Sequence, residues 1–457
     1  MVRSRRLAAA AALLLGAGLA LSGPATAQAS DQSHGPRKVV TAYFADWDIY
    51  GRGYHVKDIP VDKLNVIQYA FGVPTFTGGV PGCGILDPWA DYQRPVDAAE
   101  SVSGVADNTA DPNQHLFGNF NQLRQLKAAH PGLRLEISLG GWTKSTWFAS
   151  VAATADRRTA FVKACVDTFL KGNLPTGGWP EQAGGEGAAA GLFDGIDLDW
   201  EYPTALAGGN VDYGPADRHN ATLLAREFRR QLDQLGAASH RHYLLTAALP
   251  AAKNSTKYYE LSAFVRSLDW ANVMTYDFNV PSGTVSAHDT LFTSDPRDPH
   301  GNDWTWNTVG TVVWYLRNDV PASKIVVGVP FYANQYIRTA GLYQPFDNTG
   351  LDPNVLQWDL TPQPTYHALV DEGGVVTADG QGQQGFTRYW NPWAGEPYLF
   401  NPAGPHGSTL IAYSDPRSIG ERVSLIRQWH LRGGMAWELS QDSDAHALIG
   451  VLSTVLS

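Results

Sequence analysis

The 457-residue chain lacks most of the patterns that indicate a metal, a nucleotide or a nucleic acid as ligand. No Cys/His cluster has the spacing of a zinc site, and the sequence holds neither a Gly-x-Gly-x-x-Gly motif nor a phosphate-binding loop. The formal charge is −10, and no basic cluster follows the N-terminal segment, which argues against nucleic acid or an anionic membrane as partner. We therefore expect no metal, no cofactor, no nucleic acid and no membrane partner.

Cysteine is also scarce, since only Cys83 and Cys165 are present. In an exported chain this pair could form one disulfide. Two buried thiols are the alternative, and the sequence gives no distance between the two residues with which to decide. Both states stay open at this point.

The N-terminal segment has the composition of a secretory signal. Arg3, Arg5 and Arg6 precede an apolar run at residues 7–21, and small residues at 25–29 offer cleavage sites. This predicts a signal peptide at residues 1–29, a short linker at 30–37 and a secreted, extracellular protein. No later segment is long and apolar enough to span a bilayer.

Apolar runs rich in Val, Ile, Tyr and Phe recur along the rest of the chain, with helical stretches between them. Helical periodicity is clear at residues 223–235, and Asp415 followed by Pro416 is a typical start for a helix at 419–429. Eight such β units predict an α/β fold of the (β/α)8 (TIM) barrel type over residues 38–457. The eight runs are residues 39–45, 66–71, 134–139, 195–200, 243–248, 270–276, 325–330 and 434–437.

The gap between the seventh and eighth runs is longer than one helix needs. It holds short alternating runs at residues 386–390, 397–400 and 409–413, separated by Gly and Pro turns. Such a pattern is typical of antiparallel strands. We predict a small α+β insertion at about residues 335–408.

Residues 193–203 read Phe-Asp-Gly-Ile-Asp-Leu-Asp-Trp-Glu-Tyr-Pro. In a β-strand, this alternation sends Asp197, Asp199 and Glu201 to one face and the apolar residues to the other. Three neighbouring carboxyls in a partly buried site cannot all ionise freely, so one should hold a proton near neutral pH. Glu201, at the end of the strand, is best placed to act as general acid. Asp194 lies three residues before Asp197, so the alternation does not place it on the same face, and it is a supporting candidate only.

Two other interpretations of this strand are an exposed acidic edge and an oxygen-ligand cation site. The edge is disfavoured because Ile196, Leu198 and Trp200 demand burial of the opposite face. The cation site is disfavoured because the glycine and the distal glutamate of a calcium loop are missing from their places. Catalysis explains the pattern best.

Asp194, Asp197, Asp199 and Glu201 reproduce the D-x-x-D-x-D-x-E signature of glycoside hydrolase family 18, the chitinases, which this chain closely resembles. Residues 138–142 resemble the S-x-G-G strand of the family, and residues 274–277 resemble its M-x-Y-D strand. The resemblance covers nearly all of the chain after residue 38. In this family an α+β insertion forms one wall of a deep substrate groove.

The resemblance implies a retaining, substrate-assisted cleavage of β-1,4-linked N-acetylglucosamine. Glu201 would protonate the glycosidic oxygen while the N-acetyl carbonyl attacks the anomeric carbon, and would then activate water. Asp199 would hold the acetamido N–H, Asp197 would share a proton with Asp199, and Tyr276 would bind the acetamido oxygen. The expected substrate is chitin or chito-oligosaccharides, and we expect a monomer.

The family pattern also implies a set of substrate-binding residues at the ends of the barrel strands. Trp437 would form the floor under the reacting sugar, and Trp47 and Trp142 would stack on sugars to either side. Each aromatic residue could instead belong to the barrel core. The full set is Tyr43, Trp47, Phe71, Trp142, Met274, Asp277 and Trp437, with Ser138 and Asp194 in support.

Two segments depart from the family pattern. Residues 332–336 read Tyr-Ala-Asn-Gln-Tyr where many relatives have Tyr-Gly-Arg-Gly-Trp, and residues 277–280 lack a histidine and a glycine that relatives often carry. Two other functions are therefore kept as alternatives to a chitinase: an endo-β-N-acetylglucosaminidase acting on N-glycans and a non-catalytic chitin-binding lectin. Glu201 disfavours the lectin, and Tyr276 together with the long insertion favours linear chitin.

Overall fold

Eight parallel strands form a closed barrel in the computed structural model, which describes residues 37–299 and 303–457. The predicted signal peptide at 1–29 and residues 30–36 of the predicted linker lie outside the described residues. Residues Lys38–Ser457 form one structural unit. The strands are β1 (Val39–Ala45), β2 (Val66–Thr77), β3 (Val80–Ile85), β4 (Arg134–Gly140), β5 (Gly195–Asp199), β6 (Leu244–Pro250), β7 (Trp270–Met274), β8 (Ile325–Pro330), β9 (Asn334–Ile337), β10 (Thr387–Asn391), β11 (Glu396–Gly404), β12 (Gly407–Ala412) and β13 (Gly433–Trp437).

The barrel follows the strand order β1-β13-β8-β7-β6-β5-β4-β2, and pairing between β1 and β2 closes it. The predicted (β/α)8 barrel is thus confirmed. Helices lie between the strands. They are α1 (Gly118–Ala129), α2 (Phe148–Ala152), α3 (Ala155–Cys165), α4 (Asp217–Ser239), α5 (Ala252–Thr256), α6 (Leu261–Val265), α7 (Thr308–Arg317), α8 (Pro416–Gln428) and α9 (Ala447–Ser453).

Local sequence explains the two helices that were predicted. In α4, Leu224, Phe228 and Leu232 are buried at a spacing of four, which turns one face of the helix towards the core. In α8, the side chain of Asp415 accepts a hydrogen bond from the backbone N–H of Ser418, and proline occupies the first turn.

The second strand is longer than predicted. It continues past residue 71 to Thr77 and pairs with the antiparallel strand β3, a hairpin that the sequence analysis missed. Gly78 and Gly79 form its turn with φ values of 60° and 83°. A two-residue hairpin turn with both φ values positive strongly favours glycine, so the Gly-Gly pair was the available signal.

The insertion between β8 and α8 contains a separate four-stranded antiparallel sheet, in the order β10-β11-β12-β9. It extends from Asn334 to Ala412, slightly beyond the predicted limits. Because β9 begins four residues after β8 ends, the sheet is attached at the C-terminal end of the barrel. In TIM barrels this end carries the active site.

Cys83 in β3 and Cys165 at the end of α3 form a disulfide. This decides the question that the sequence left open, and it ties the β2–β3 hairpin to a helix of the outer layer. Among the described residues, no helix combines the length and the apolar character needed to cross a membrane.

Candidate active site

A row of three carboxyl groups runs along β5 towards the C-terminal end of the barrel. The exposed fraction rises along it, from 0% at Asp197 to 4% at Asp199 and 8% at Glu201. Their neighbours in the chain face the other way, where Trp200 stacks on Phe148 with ring centroids 5.2 Å apart. The alternation in the sequence therefore separates the carboxyls from the hydrophobic layer under the helices.

Asp197 is the most enclosed of the three carboxyl groups. Its Oδ2 accepts hydrogen bonds from Ser138 Oγ (2.7 Å) and Tyr43 OH (2.8 Å). Its Oδ1 accepts hydrogen bonds from Thr246 Oγ1 (2.6 Å) and Asn272 Nδ2 (3.2 Å). Burial raises the pKa of Asp197, and these four donors oppose the rise by stabilising the carboxylate.

A second acid, Glu136 of β4, lies below this group and is fully buried. Its two carboxyl oxygens are 3.2 and 3.3 Å from Thr246 Oγ1, which also accepts a hydrogen bond from Gln68 Nε2 at 3.3 Å. The Thr246 hydroxyl has one proton, and Asp197 is its nearest acceptor. Glu136 must then donate to Thr246, so Glu136 is a neutral acid, in agreement with a pKa that burial raises well above its ordinary value.

Sequence analysis missed Glu136, Thr246 and Asn272. The signal was present, because each is a buried polar residue between two apolar neighbours in its strand. Strand register completes the arrangement, since Asp197 pairs with Ser138 on one side and with Thr246 on the other.

Asp199 and Glu201 are the next two carboxyls of the row above Asp197. Burial raises the pKa of Asp199 well above its ordinary value, and the charges of Glu201 and Asp197 raise it further. Its buried Oδ1 receives no hydrogen bond from the described residues. A protonated Asp199 therefore donates to Glu201.

Burial raises the pKa of Glu201 to about 7, against a hydrogen bond from the Tyr202 hydroxyl that lowers it. At neutral pH this carboxyl can both give and take a proton, which general acid–base catalysis requires. The backbone at the end of the strand is held by Ser145, whose Oγ accepts from Glu201 N at 3.0 Å and lies 3.0 Å from Gly141 O and 3.2 Å from Asp199 O, the two acceptors for its proton. Tyr202 was not among the predicted residues, although it directly follows Glu201.

Tyr276 and Asp277 follow β7 and lie beside this pair. Tyr276 is 8% exposed, and its hydroxyl is 3.9 Å from the sulfur of Met435. Its ring requires glycine at position 328, where an added Cβ would be 2.9 Å from the ring. Asp277 is exposed to solvent, has a left-handed φ of 52°, and accepts a hydrogen bond from Tyr332 OH at 2.7 Å.

The structure brings most of the predicted aromatic residues together at the same end of the barrel. Trp437 stacks on Phe71, with centroids 5.9 Å apart and planes at 20°, and its ring is 5.0 Å from Tyr43. Trp47 is 6.0 Å from Phe71. Trp47 and Trp142 are 42% and 54% exposed and so offer free ring faces, which suit the apolar faces of sugar rings.

The remaining aromatic and apolar candidates belong partly to the core. Tyr43 and Phe71 are buried, and Met274 and Trp437 are half-buried against the same cluster. These four residues therefore belong to the upper layer of the barrel core, and a role in binding substrate stays a prediction for them.

Asp194 lies just before β5, at the opposite end of the strand from Glu201. It pairs with Lys127 (2.7 Å), Arg134 (3.2 Å) and Arg241 (2.5 Å), and it accepts the backbone N–H of Leu135 at 3.0 Å. Its support for the site is therefore structural and acts through the position of β5.

The side chains with metal-like spacing lie apart from the carboxyl row. Over the described ranges 37–299 and 303–457, the cluster of His and acidic side chains with metal-like spacing is His367, Asp371 and Asp444, and two of its three members are exposed.

Residues 39–442 match the family model described as glycosyl hydrolases family 18. Chitinase A1 of Niallia circulans is 34% identical over 92% of this chain and 58% of its own length. Endochitinase 1 of Metarhizium robertsii is 31% identical over 93% of this chain and 86% of its own length. The catalytic domain of the psychrophilic chitinase B from Arthrobacter TAD20 superposes with a TM-score of 0.78 at 30% identity, covering 92% of this chain and 95% of that one.

Proposed function

The chain belongs to family 18 of the glycosyl hydrolases, and from this premise we propose that it is a secreted chitinase that cleaves β-1,4 linkages between N-acetylglucosamine units. The observation that carries the proposal is the row on β5, which ends in a carboxyl with a pKa of about 7 next to a second, protonated carboxyl. The chain spans only 58% of the length of Chitinase A1. The activity and the substrate are therefore proposed from the geometry of this site and not taken from that relative.

In the first step, Glu201 transfers its proton to the glycosidic oxygen, and the bond between that oxygen and the anomeric carbon breaks. The carbonyl oxygen of the sugar's own N-acetyl group attacks the anomeric carbon and forms an oxazolinium ion. This substrate-assisted route does not need a second carboxylate as nucleophile. It requires an N-acetyl group on the sugar that reacts.

Asp199 supports this step from below. With its proton returned towards Asp197, it can accept the acetamido N–H and stabilise the positive charge of the ring. The four donors around Asp197 hold that carboxyl in place. Tyr276 is the donor for the acetamido oxygen.

In the second step, Glu201 takes a proton from water, and the water oxygen attacks the anomeric carbon from the side that the leaving group occupied. The oxazolinium ring opens, the N-acetyl group is restored, and the anomeric configuration is retained. Because Glu201 acts once as acid and once as base, a pKa near neutral suits both halves of the cycle.

The surroundings of the row support a groove for a linear sugar chain. Trp437 would lie under the reacting sugar, with Trp47 and Trp142 on either side and Tyr43, Phe71, Met274 and Asp277 around the pocket. The sheet β9–β12 begins at the same end of the barrel and would form a wall of the groove. Secretion rests on the composition of residues 1–29 alone.

The test compares the wild type with Glu201→Gln on N-acetylglucosamine oligomers, on deacetylated oligomers and on an N-glycopeptide. We expect the wild type to cleave the acetylated oligomers with retention, and the variant to lose at least about a hundredfold in kcat. Glu227→Gln, a change of the same chemistry on the outer helix α4, where Glu227 is half-buried and pairs with Arg230, is the matched control and should behave as the wild type.

The other outcomes identify the alternatives. Cleavage of the glycopeptide in preference to the oligomers would indicate an endo-β-N-acetylglucosaminidase. Oligomers that bind but stay intact in wild type and variant alike would indicate a lectin. Inversion of the anomeric configuration would contradict the substrate-assisted mechanism.

A further inference from the structure

Asp277, which directly follows Tyr276, forms a carboxyl pair with Asp289. Asp277 is exposed to solvent, whereas Asp289 lies behind it and is only 2% exposed. The two carboxyl groups share a hydrogen bond. Tyr332 OH donates to Asp277 Oδ1 from the other side at 2.7 Å.

The fold holds the segments that carry these two residues side by side. The backbone N–H of Phe278 donates to Asp289 O at 2.9 Å, and Asn279 Nδ2 donates to His288 O at 2.9 Å. Thr290 Oγ1 donates to Thr275 O at 2.7 Å. Contacts on both sides of the pair thus fix its geometry.

Counting donors decides where the proton lies. Asp289 Oδ1 accepts a hydrogen bond from Asn334 Nδ2 at 3.4 Å, and the backbone N–H of Asp277 opposes the rise of the Asp289 pKa, but the buried Oδ2 has no donor in hydrogen-bonding geometry among the described residues. A buried carboxylate oxygen without a donor is costly, whereas the same oxygen bearing a proton becomes a donor itself. Asp277 is the acceptor that it faces.

No cation among the described residues replaces this proton. Arg422 is engaged elsewhere, because it pairs with Glu396 at 2.5 Å and donates to Thr290 Oγ1 at 2.7 Å. His288 is kept neutral by burial, which lowers its pKa to about 3. The other titratable groups that act on the pair are acids or phenols: Glu201, Glu396, Tyr276, Tyr332 and Tyr336.

We propose that Asp289 is a positioning residue of the active site: as a neutral acid it donates a hydrogen bond to Asp277, favours the ionised form of that carboxyl, and so maintains a negative charge that adds to burial in favouring the protonated form of Glu201. The inference rests on the proposed function for its effect on catalysis. The state of the carboxyl pair itself does not depend on the substrate.

The electrostatics of the neighbouring groups agree with this arrangement. Burial raises the pKa of Asp277, and the hydrogen bonds from Tyr332 and Asp289 oppose that rise. Burial also raises the pKa of Asp289 and of Glu201, and the charge of Asp277 adds to both rises. Asn334, which lies where many relatives have arginine, is a neutral amide. An arginine there would lower the pKa of both carboxyls, and this chain uses a shared proton instead.

The first experiment titrates the substrate-free protein by NMR with aspartate labelled at the carboxyl carbon. Asp277→Asn and Asp289→Asn identify the two resonances by their loss. We expect Asp289 to be protonated and Asp277 to be ionised at pH 7. A spectrum in which both are ionised at pH 7 overturns the proposal. The charge states are read from the wild type, and the two variants serve only to assign its resonances.

The second experiment measures kcat/KM against pH on acetylated oligomers. Asp289→Leu removes the donor, so the titration midpoint of Asp277 should rise by about one pH unit. With less negative charge on Asp277, the alkaline limb of the kcat/KM profile, which Glu201 sets, should then move to lower pH by about half a unit. Asp289→Asn keeps an N–H donor and should restore both the midpoint and the limb.

Asp442→Asn is the matched control, because Asp442 is a buried aspartate that accepts backbone N–H groups at the start of α9. It should leave the limb unchanged even where it lowers stability. If Asp289→Asn shifts the limb as far as Asp289→Leu does, the hydrogen bond is not the cause and the inference is wrong. A protein that cleaves no oligomer at all refutes the proposed function, while the NMR result still decides the state of the pair.

Discussion

The hydroxyl of Thr246 donates to Asp197 Oδ1 over 2.6 Å, so a residue of β6 completes the hydrogen bonding of the acidic strand β5. The hydroxyl oxygen of Thr246 also lies 3.2 Å from the carboxyl of Glu136. One threonine thus connects the carboxyl row at the mouth with a neutral acid at the base of the barrel.

Replacing Thr246 by valine should destabilise the protein and weaken catalysis. The change keeps the shape of the side chain but removes a donor from a buried carboxylate, which costs about 2 kcal/mol in the free energy of unfolding. The pKa of Asp197 should rise, because this hydrogen bond lowers it. Urea unfolding and kcat measure the two effects, and Thr246→Ser, which keeps the hydroxyl, should resemble the wild type.

The alkaline limb of kcat/KM should lie near pH 7, because the first step needs a protonated Glu201 and its pKa is about 7. Activity should therefore fall as the pH rises through this value. Tyr202→Phe removes a hydrogen bond that favours the carboxylate, so the limb should move to higher pH.

Tyr258→Phe is the control for this experiment, since Tyr258 stacks on Tyr202 with centroids 6.1 Å apart and the change alters no hydrogen bond to Glu201. Its pH profile should match that of the wild type. A limb that moves to lower pH in Tyr202→Phe would contradict the assignment of Glu201 as the titrating acid.

Asp194→Ala should lower stability strongly and leave the chemistry of the folded enzyme intact. The change leaves three cations without the carboxyl that they surround, which is only 1% exposed. Breaking a buried ion pair costs about 3–5 kcal/mol in the free energy of unfolding. Asp167→Ala removes two pairs between a half-buried carboxyl and the exposed ammonium groups of Lys163 and Lys171 and should cost at most about 1 kcal/mol. Equal losses in the two variants would show that Asp194 does not anchor β5.

Removing the disulfide with Cys83→Ala and Cys165→Ala should lower the free energy of unfolding by about 4 kcal/mol, since the bond closes a loop with a sequence separation of 82. The bond lies in the outer layer, so kcat of the folded protein should stay the same. A reducing agent should lower the Tm of the wild type and have no effect on the double variant. A wild type that is insensitive to reduction would contradict this prediction.

The barrel could be predicted because its signals are local. Each run of Val and Ile between helical stretches became a parallel strand, usually within two residues of the predicted bounds. The alternation at residues 195–201 fixed the face of each carboxyl, since successive side chains of a strand point to opposite sides. The long gap after residue 330 indicated the insertion through another local signal, the Gly and Pro turns that separate its short runs.

Partners that are distant in the chain could not be predicted. Thr246 and Asn272 meet Asp197 because neighbouring strands pair in a particular register, and the sequence of one strand does not specify that register. The disulfide and the pair of Asp277 with Asp289 also depend on how separate segments pack.

The sequence by itself determined the strands, the acidic row and the candidate acid Glu201, because these follow from the period of a β-strand and from motifs within single segments. Only the tertiary structure decided which carboxyls carry protons. Protonation depends on burial and on the donors and charges within a few ångströms, and those neighbours come from strands and loops far apart in the chain.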